Sequence, residues 1–412
     1  MRQPKESTKD KIRKAAFALL SHSSDAGVSL SQIAKRVGIS KAAIFRHYKD
    51  KAALMDAMAA YFFDDVVRAL REAFPLSGAV VTIHDFARIM MRFLTDKPQY
   101  IGVIKRMTSR AGNMEVFVSE QFSKHGIRLL RYKKSCHSLE EVSGVYAFTS
   151  MVYFVLQYHA DAGDGGSQNF ADKVSDFLLN GWSALRDLTP EEQKACDERC
   201  VIDAESLPEE DRFFSALIMV IVKYGVLGIT VERIADELGM VKSSLYSFFE
   251  NKDELISVLV KTEIGYLIAA LSEKLEGVTD LSCAVYVFLH VVCRYLQLRP
   301  ALILIIVWHF SRGGSIEGLY TDIDAADISD GLNVIASSSE PDFGIEFPRY
   351  ARAAWLASLP ASLVIHEHCH AMLRGSDRDV ITSIDAYDLV TQLFRQMGKA
   401  LPNEDMCVLE GE

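Results

Sequence analysis

The chain has 412 residues, 49% of them hydrophobic and 24% charged, with a formal net charge of −10. That length provides for two or three domains of roughly 100–200 residues each, and the apolar fraction excludes a disordered chain. The acidic total excludes a protein that coats nucleic acid by bulk charge, but not a basic head on an acidic body. Seven scattered cysteines make no disulfide scaffold. The N-terminal run MRQPKESTKDK has no apolar leader core, so a reducing cytoplasm is the expected setting.

In chain order, Ile12, Ala15, Ala16, Leu19 and Leu20 fall at helical spacing. Ser29 then caps a short helix, with Gln32 placed to close a capping box. Ala34 is small where a second helix crosses, and Gly38 sits where the helix ends and a positive φ is needed. Ser40 caps the next helix, SKAAIFRHY, which exposes Lys41, Ala42 and Arg46 and is expected to turn Ile44 and Phe45 inward. Asp50 opens a long following helix. This is the anatomy of a helix-turn-helix.

Segments 80–95, 98–110, 140–160 and 169–187 keep helical spacing, with Pro or Gly between them. A polar, carboxylate-rich stretch containing Pro190 and Pro208 reads as a join. Phe213, Ala216, Leu217, Val220 and Ile221 then repeat the opening helix, and 281–298, 301–311, 349–373 and 380–398 continue the pattern. Arg294, Gln297, Arg299 and Pro300 break the apolar stretch 281–310 into runs shorter than the roughly 20 residues of a membrane span, so it reads as two buried helices. No sustained period-2 run occurs. The expected fold class is all-α.

The chain repeats itself. Gly27–Leu54 lies over Gly228–Leu255 without a gap, at an offset of 201 residues. Gly27/Gly228, Ile33/Ile234, Ala34/Ala235, Gly38/Gly239, Lys41/Lys242, Lys51/Lys252 and Leu54/Leu255 are identical. Downstream, Pro98 corresponds to Pro300, and the run from Met107 to Gly112 to that from His309 to Gly314. Whole modules of about 200 residues are therefore duplicated.

Both repeats resemble the DNA-binding domain of the TetR family of transcriptional regulators. The pattern is carried by Ala34, Gly38, Lys41, Phe45, Tyr48 and Lys51, and again by Ala235, Gly239, Lys242, Tyr246, Phe249 and Lys252. The resemblance implies two tandem modules, each a three-helix helix-turn-helix head with a helical ligand and dimerisation domain. The expected bounds are 1–58 for the first head and 59–189 for its regulatory domain. A linker at 190–208, a second head at 209–258 and a second regulatory domain at 259–412 follow.

It further implies a double-stranded DNA operator as partner and a recognition helix in the major groove. Neither module shows a phosphate-binding glycine loop or a legible Ser-His-Asp arrangement, so no cofactor, no metal and no catalysis are expected. The expected DNA contacts are Ser29, Ser40, Lys41, Ala42, Ala43, Phe45, Arg46, His47, Tyr48 and Lys51 in the first head. In the second they are Lys242, Ser243, Ser244, Tyr246, Ser247 and Lys252. Phe45 replaces the tyrosine usual at the first aromatic position, so Tyr48 or His47 is expected to take over its phosphate contact. Family members dimerise through their last two helices. A tandem chain is thus expected to form an intramolecular pseudo-dimer, with 140–160 and 169–187 packed on 349–373 and 380–398. Its operator would be an asymmetric pair of half-sites. A dimer of chains is the alternative.

Charge separates the heads. Residues 1–58 hold 12 Lys/Arg against 5 Asp/Glu, a net of +7, whereas 205–260 hold 5 against 10, a net of −5. Phosphate binding favours the first. The second is either a weaker DNA contact or a scaffold.

The string His366-Glu367-His368-Cys369-His370 matches the zinc motif H-E-x-x-H, but no further ligand follows in pattern, so plain histidines are expected. Cys196 and Cys200, one helical turn apart, read as ordinary thiols, with redox or metal sensing as the alternative. An effector pocket for a small apolar or aromatic molecule would draw on Met90, Met107, Phe148 and Met151, or on Trp308 and Phe310. The functional expectation is a cytoplasmic DNA-binding repressor relieved by such an effector, with no membrane partner. The alternative is a ligand sensor or scaffold with one or both heads inactive.

Overall fold

Capping chemistry sets where the helices of the first head begin and end. The computed structural model describes residues 7–22, 28–100, 103–104, 114–130, 139–161, 169–224, 229–300, 302–303, 330–338, 342–343, 351–373, 386–401, 403 and 405–410. Helices α1 (Thr8–His22), α2 (Leu30–Val37) and α3 (Lys41–Phe45) make up the head, and α4 (Lys51–Ala73) runs out of it. The Gln32 N–H donates to Ser29 Oγ (3.2 Å) and the Ser29 N–H to Gln32 Oε1 (2.7 Å), closing the capping box. Ser40 and Asp50 accept from the Ala43 and Ala53 N–H groups in the same way. Gly38 ends α2 at φ 75°, and a Cβ there would meet nothing within 4 Å. The glycine is thus needed for its backbone conformation and not for space.

The first body follows as β1 (Val80–Thr82), α5 (Ile83–Asp96), α6 (Met114–Ser123), β2 (Ile127–Leu129), α7 (Leu139–Asp161) and α8 (Phe170–Asn180). Tyr100, in a short 3-10 turn after α5, joins head to body. Its ring meets Phe17 of α1 and Phe62 of α4, each at 5.3 Å, and stacks on Phe93 of α5 at 5.5 Å. Its hydroxyl donates to the buried Asp65 carboxylate at 2.6 Å, and Lys97 Nζ donates to the same oxygen at 3.1 Å. Although burial opposes ionisation of Asp65, these partners hold its pKa below the usual carboxylate value.

The expected linker begins as an ordered helix, α9 (Pro190–Arg199), opened by a Thr189–Glu192 capping box with Pro190 in the first turn. It packs on the second body and buries Cys196 and Cys200. The second head is α10 (Arg212–Tyr224), α11 (Val231–Glu237) and α12 (Lys242–Leu245), with α13 (Lys252–Lys274) leaving it. Gly239, at φ 64°, repeats the role of Gly38. Here the mount is ionic. Arg299 pairs with Glu210 at 2.9 Å and also donates to the Pro208 carbonyl.

The second body is α14 (Leu281–Leu298), α15 (Asp330–Ser337), α16 (Ala351–Leu373) and α17 (Ala386–Met397). By length and composition α13 and α14 are long and apolar enough to cross a membrane. In the fold α14 is a core helix, packed against α9, α13, α15, α16 and α17.

The two bodies are packed together. Helix α7 lies against α16 and α17. Trp355 Nε1 donates to Ser150 Oγ at 2.9 Å, the Tyr153 hydroxyl to the Ala351 carbonyl at 2.6 Å, and Ser143 Oγ to Gln396 Oε1 at 3.1 Å. The rings of Phe177 of α8 and Trp182 each lie 5.7 Å from Trp355. A Cβ on Gly181 would meet the Lys399 carbonyl oxygen at 2.5 Å, so glycine is required where the segments after α8 and α17 cross.

Helix dominates, as the periodicity indicates, but a small sheet accompanies it. Strand β3 (Asp405–Leu409) lies between β1 and β2 and pairs antiparallel with both. Its flanking strands span three residues each, too short to register as an alternating pattern.

Candidate nucleic-acid interface

The first recognition helix is a little over one turn long, which leaves it few inward positions. Ile44 is its buried residue; Lys41, Ala42, Arg46 and His47 are exposed and Ala43 is half-buried. Phe45 was expected inside, yet it is 47% exposed, because Ile44 already occupies the inward direction. Tyr48 shows the reverse. It is 5% exposed, and its hydroxyl is buried without a hydrogen-bond partner among the described residues. Burial raises its pKa. The expected Tyr48–phosphate contact is therefore not presented here, and of the two candidates only His47 reaches solvent. Ser29 and Ser40 accept backbone hydrogen bonds at their helix starts, which leaves each O–H to donate to a phosphate. Lys51 opens α4 at the edge of the same face.

Lys35, Arg36, Lys41, Arg46 and Lys49 surround this helix and are all exposed. Among the described residues no carboxylate pairs with any of them. Their charge is available to phosphate oxygens, where each contact releases condensed counterions.

The second head keeps the backbone and changes the surface. In register, Lys35 becomes Asp236, Arg36 becomes Glu237, Arg46 becomes Ser247, His47 becomes Phe248 and Lys49 becomes Glu250. The retained Lys242 is bound to the Glu232 carboxylate, which raises the lysine pKa and lowers that of the acid. Lys223 is held by both oxygens of Glu237 at 2.8 Å, and the Arg233 guanidinium lies 4.1 Å from the Tyr224 ring centroid. Val241 stands where Ser40 caps the first copy; it is 67% exposed and makes no capping bond. Ser243, Tyr246 and Ser247 are exposed and Ser244 is half-buried, with Ser247 Oγ donating to the Ser244 carbonyl at 2.7 Å. Lys252 begins α13, and its side chain lies outside the described residues.

The sequence pattern of the bacterial regulatory proteins, tetR family, matches residues 12–58 and again residues 214–259, which are these two heads. The chain is a tetR-family DNA-binding transcriptional regulator built as two tandem modules. It is similar to the uncharacterized HTH-type transcriptional regulator YxbF of Bacillus subtilis (strain 168), 20% identical over 276 residues that span 64% of this chain and 69% of the relative. A fatty acid degradation regulator, FadR from Bacillus halodurans, superposes with a TM-score of 0.34 and 16% identity. That superposition covers 48% of this chain and 98% of the other, and at this level it adds nothing to what the heads establish.

The remaining candidates fare unevenly. Met90 and Met151 are buried in the core, whereas Phe148 is 49% exposed and lines no interior. Met107, Trp308 and Phe310 lie outside the described residues, as do the side chains of His366 and His370 on α16. Cys196 and Cys200 are buried, the Cys196 thiol is in hydrogen-bond contact with Cys283, and burial pushes all three thiols up, Cys283 to about 12. That is the opposite of an activated thiol. Among the described residues no three His, Cys, Asp or Glu are placed to hold a metal ion.

A cavity of about 310 Å³ lies where the modules join, lined by Asp187, Gln193, Tyr286, Phe394, Arg395 and Lys399. It is not legible in the sequence, because its walls come from three segments, at 187–193, 286 and 394–399, far apart along the chain.

Proposed function

We propose that this regulator is a cytoplasmic repressor whose first head supplies the DNA contact and whose two bodies form an intramolecular pseudo-dimer. The observation that carries the proposal is the set of exposed cations that, among the described residues, have no carboxylate partner around a capped recognition helix. Lys41, Arg46 and His47, with the Ser29 and Ser40 hydroxyls, face the groove and its phosphates, and Lys51 flanks them. The packing of α7 on α16 and α17, with Phe177 of α8 against Trp355 of α16, supports the pseudo-dimer, since it occupies the helices that would otherwise bind another chain. The second head contributes little DNA affinity, because Lys242 is neutralised by Glu232 and acids replace three cations of the first head. Its serine hydroxyls and Tyr246 are the contacts left to it.

A small aromatic effector in the junction cavity would touch both modules, the first through Asp187 and the second through Tyr286, Phe394 and Arg395, and would relieve repression by favouring a different setting of the heads. Selection of bound sequences from random duplex DNA by the full-length chain tests the proposal. The expected product is a site with one dominant half-site. Two equally defined but unlike half-sites would restore DNA reading to the second head. No enrichment even at low salt, where phosphate contacts are strongest, would overturn the proposal.

A further inference from the structure

The face of the second head that corresponds to a DNA-reading surface carries exposed Val241, Tyr246 and Phe248. The three lie within eight residues of one another in the sequence, and large apolar side chains left exposed on one recognition segment offer a surface for a partner to cover. Asp236 and Glu250 stand on the same head, exposed, and no cation pairs with either among the described residues. A phosphate backbone is repelled there. The complementary surface is in the same molecule: on the first head Lys41, Arg46 and Lys49 are exposed on the recognition segment that also exposes the ring of Phe45. The two faces are built on the same helix-turn-helix, so they match in size, and they are opposite in charge, with net values of −5 and +7 over their segments.

We propose that the acidic, aromatic face of the second head docks the basic recognition face of the first head of a second copy of this chain. Each copy offers one face of each kind, so two reciprocal contacts close a two-fold dimer. Opposite charge steers the encounter and sets the pairing, while the aromatic side chains supply the apolar burial. In this dimer the DNA-reading face is covered, so operator DNA and the second copy compete for the same cations. The competition rests on the reading of the first head as the DNA contact; the association does not.

Sedimentation equilibrium of the full chain without DNA, at about 50 mM and about 500 mM salt, tests the association. The expected result is a dimer at low salt whose dissociation constant rises at least about tenfold at high salt. The double variant Asp236→Lys with Glu250→Lys should be monomeric, and so should Lys41→Glu with Arg46→Glu, each with an unchanged circular dichroism spectrum. Mixing the two variants should restore the dimer, because both contacts then join opposite charges. A chain that is monomeric at every salt concentration overturns the proposal, as does a dimer that persists in both variants. DNA binding by the first double variant is measured separately. Its loss, with the charge-swapped association intact, would remove the DNA reading and leave the dimer standing.

Discussion

In the first head Ser40 caps the recognition helix, and Lys41 and Arg46 stand exposed with no carboxylate partner among the described residues. In the second, Val241 leaves that helix uncapped and Lys242 is bound to Glu232. The interior differs far less: Ile33 and Ile234, Ala34 and Ala235, and Ile44 and Leu245 are all buried, and Gly38 and Gly239 share a left-handed turn. Two copies of one unit have thus kept the residues that make the fold and exchanged those that face outward. Fold and binding are held by separate sets of side chains, so one does not imply the other. The mounts differ as well. Tyr100 fixes the first head with ring contacts and one buried carboxylate, and Arg299 fixes the second with an ion pair.

The sharpest way to break this comparison is to remove the cations. Lys41→Ala with Arg46→Ala should abolish operator binding, each cation contributing roughly 1–3 kcal/mol, while Lys242→Ala should leave it unchanged. Fluorescence anisotropy across a salt series checks both, and an equal loss from Lys242→Ala would make the heads equivalent. Next comes the aromatic mount. Tyr100→Ala should destabilise the first module by about 3–5 kcal/mol in urea unfolding, because a large buried ring is lost and Asp65 is left with fewer donors.

The bodies differ in their response to acid. His290 in α14 is buried against Tyr286 and Tyr387, near Asp197 and Thr391, and burial pushes its pKa down to about 3. His159 in α7 is half-buried and also lowered by burial, against a hydrogen bond to the Leu94 carbonyl that favours the charged form. The unfolded chain takes up a proton at His290 near pH 6.5, and the folded chain does not until about pH 3. Stability from this group is therefore present above pH 6.5 and is lost as pH falls between those values, by up to about 1.4 kcal/mol per pH unit. Thermal unfolding of His290→Leu between pH 7 and pH 5 should show a flatter dependence than the parent chain. An identical slope would mean that His290 protonates in the folded state.

The smallest effects are expected at the caps. Val241→Ser should stabilise the second head by about 1 kcal/mol, and Ser40→Val should destabilise the first by a similar amount. Hydrogen exchange localised to α3 and α12 would resolve them, and a change of the same sign in both would show that capping does not distinguish the heads.

Much of the architecture is legible because it is local. A capping serine, a glycine at a helix end and a 3.6-residue period each act within a few positions, so the heads and the long helices can be read from sequence. The inward and outward turns of Phe45 and Tyr48 could not be read, since both are aromatic and only the packing around Ile44 decides between them. Phe148 failed as a pocket residue for a related reason: its helix, α7, packs on several neighbours and still leaves that position facing solvent. The quenching of Lys242 was hidden too. Its carboxylate partner lies ten residues back on α11, brought near by the turn through Gly239.

Strand β3 carries a consequence for how the protein comes into being. Its neighbours β1 and β2 both belong to the first body, and Arg128, within β2, pairs with Glu410 across 282 residues of sequence. A ribosome that has finished the first body has therefore delivered only the two outer strands, which are not paired with each other. Their open edges must wait while the whole second module is translated, held meanwhile by helix packing alone or by a chaperone. The first module is the earlier one made and the later one completed.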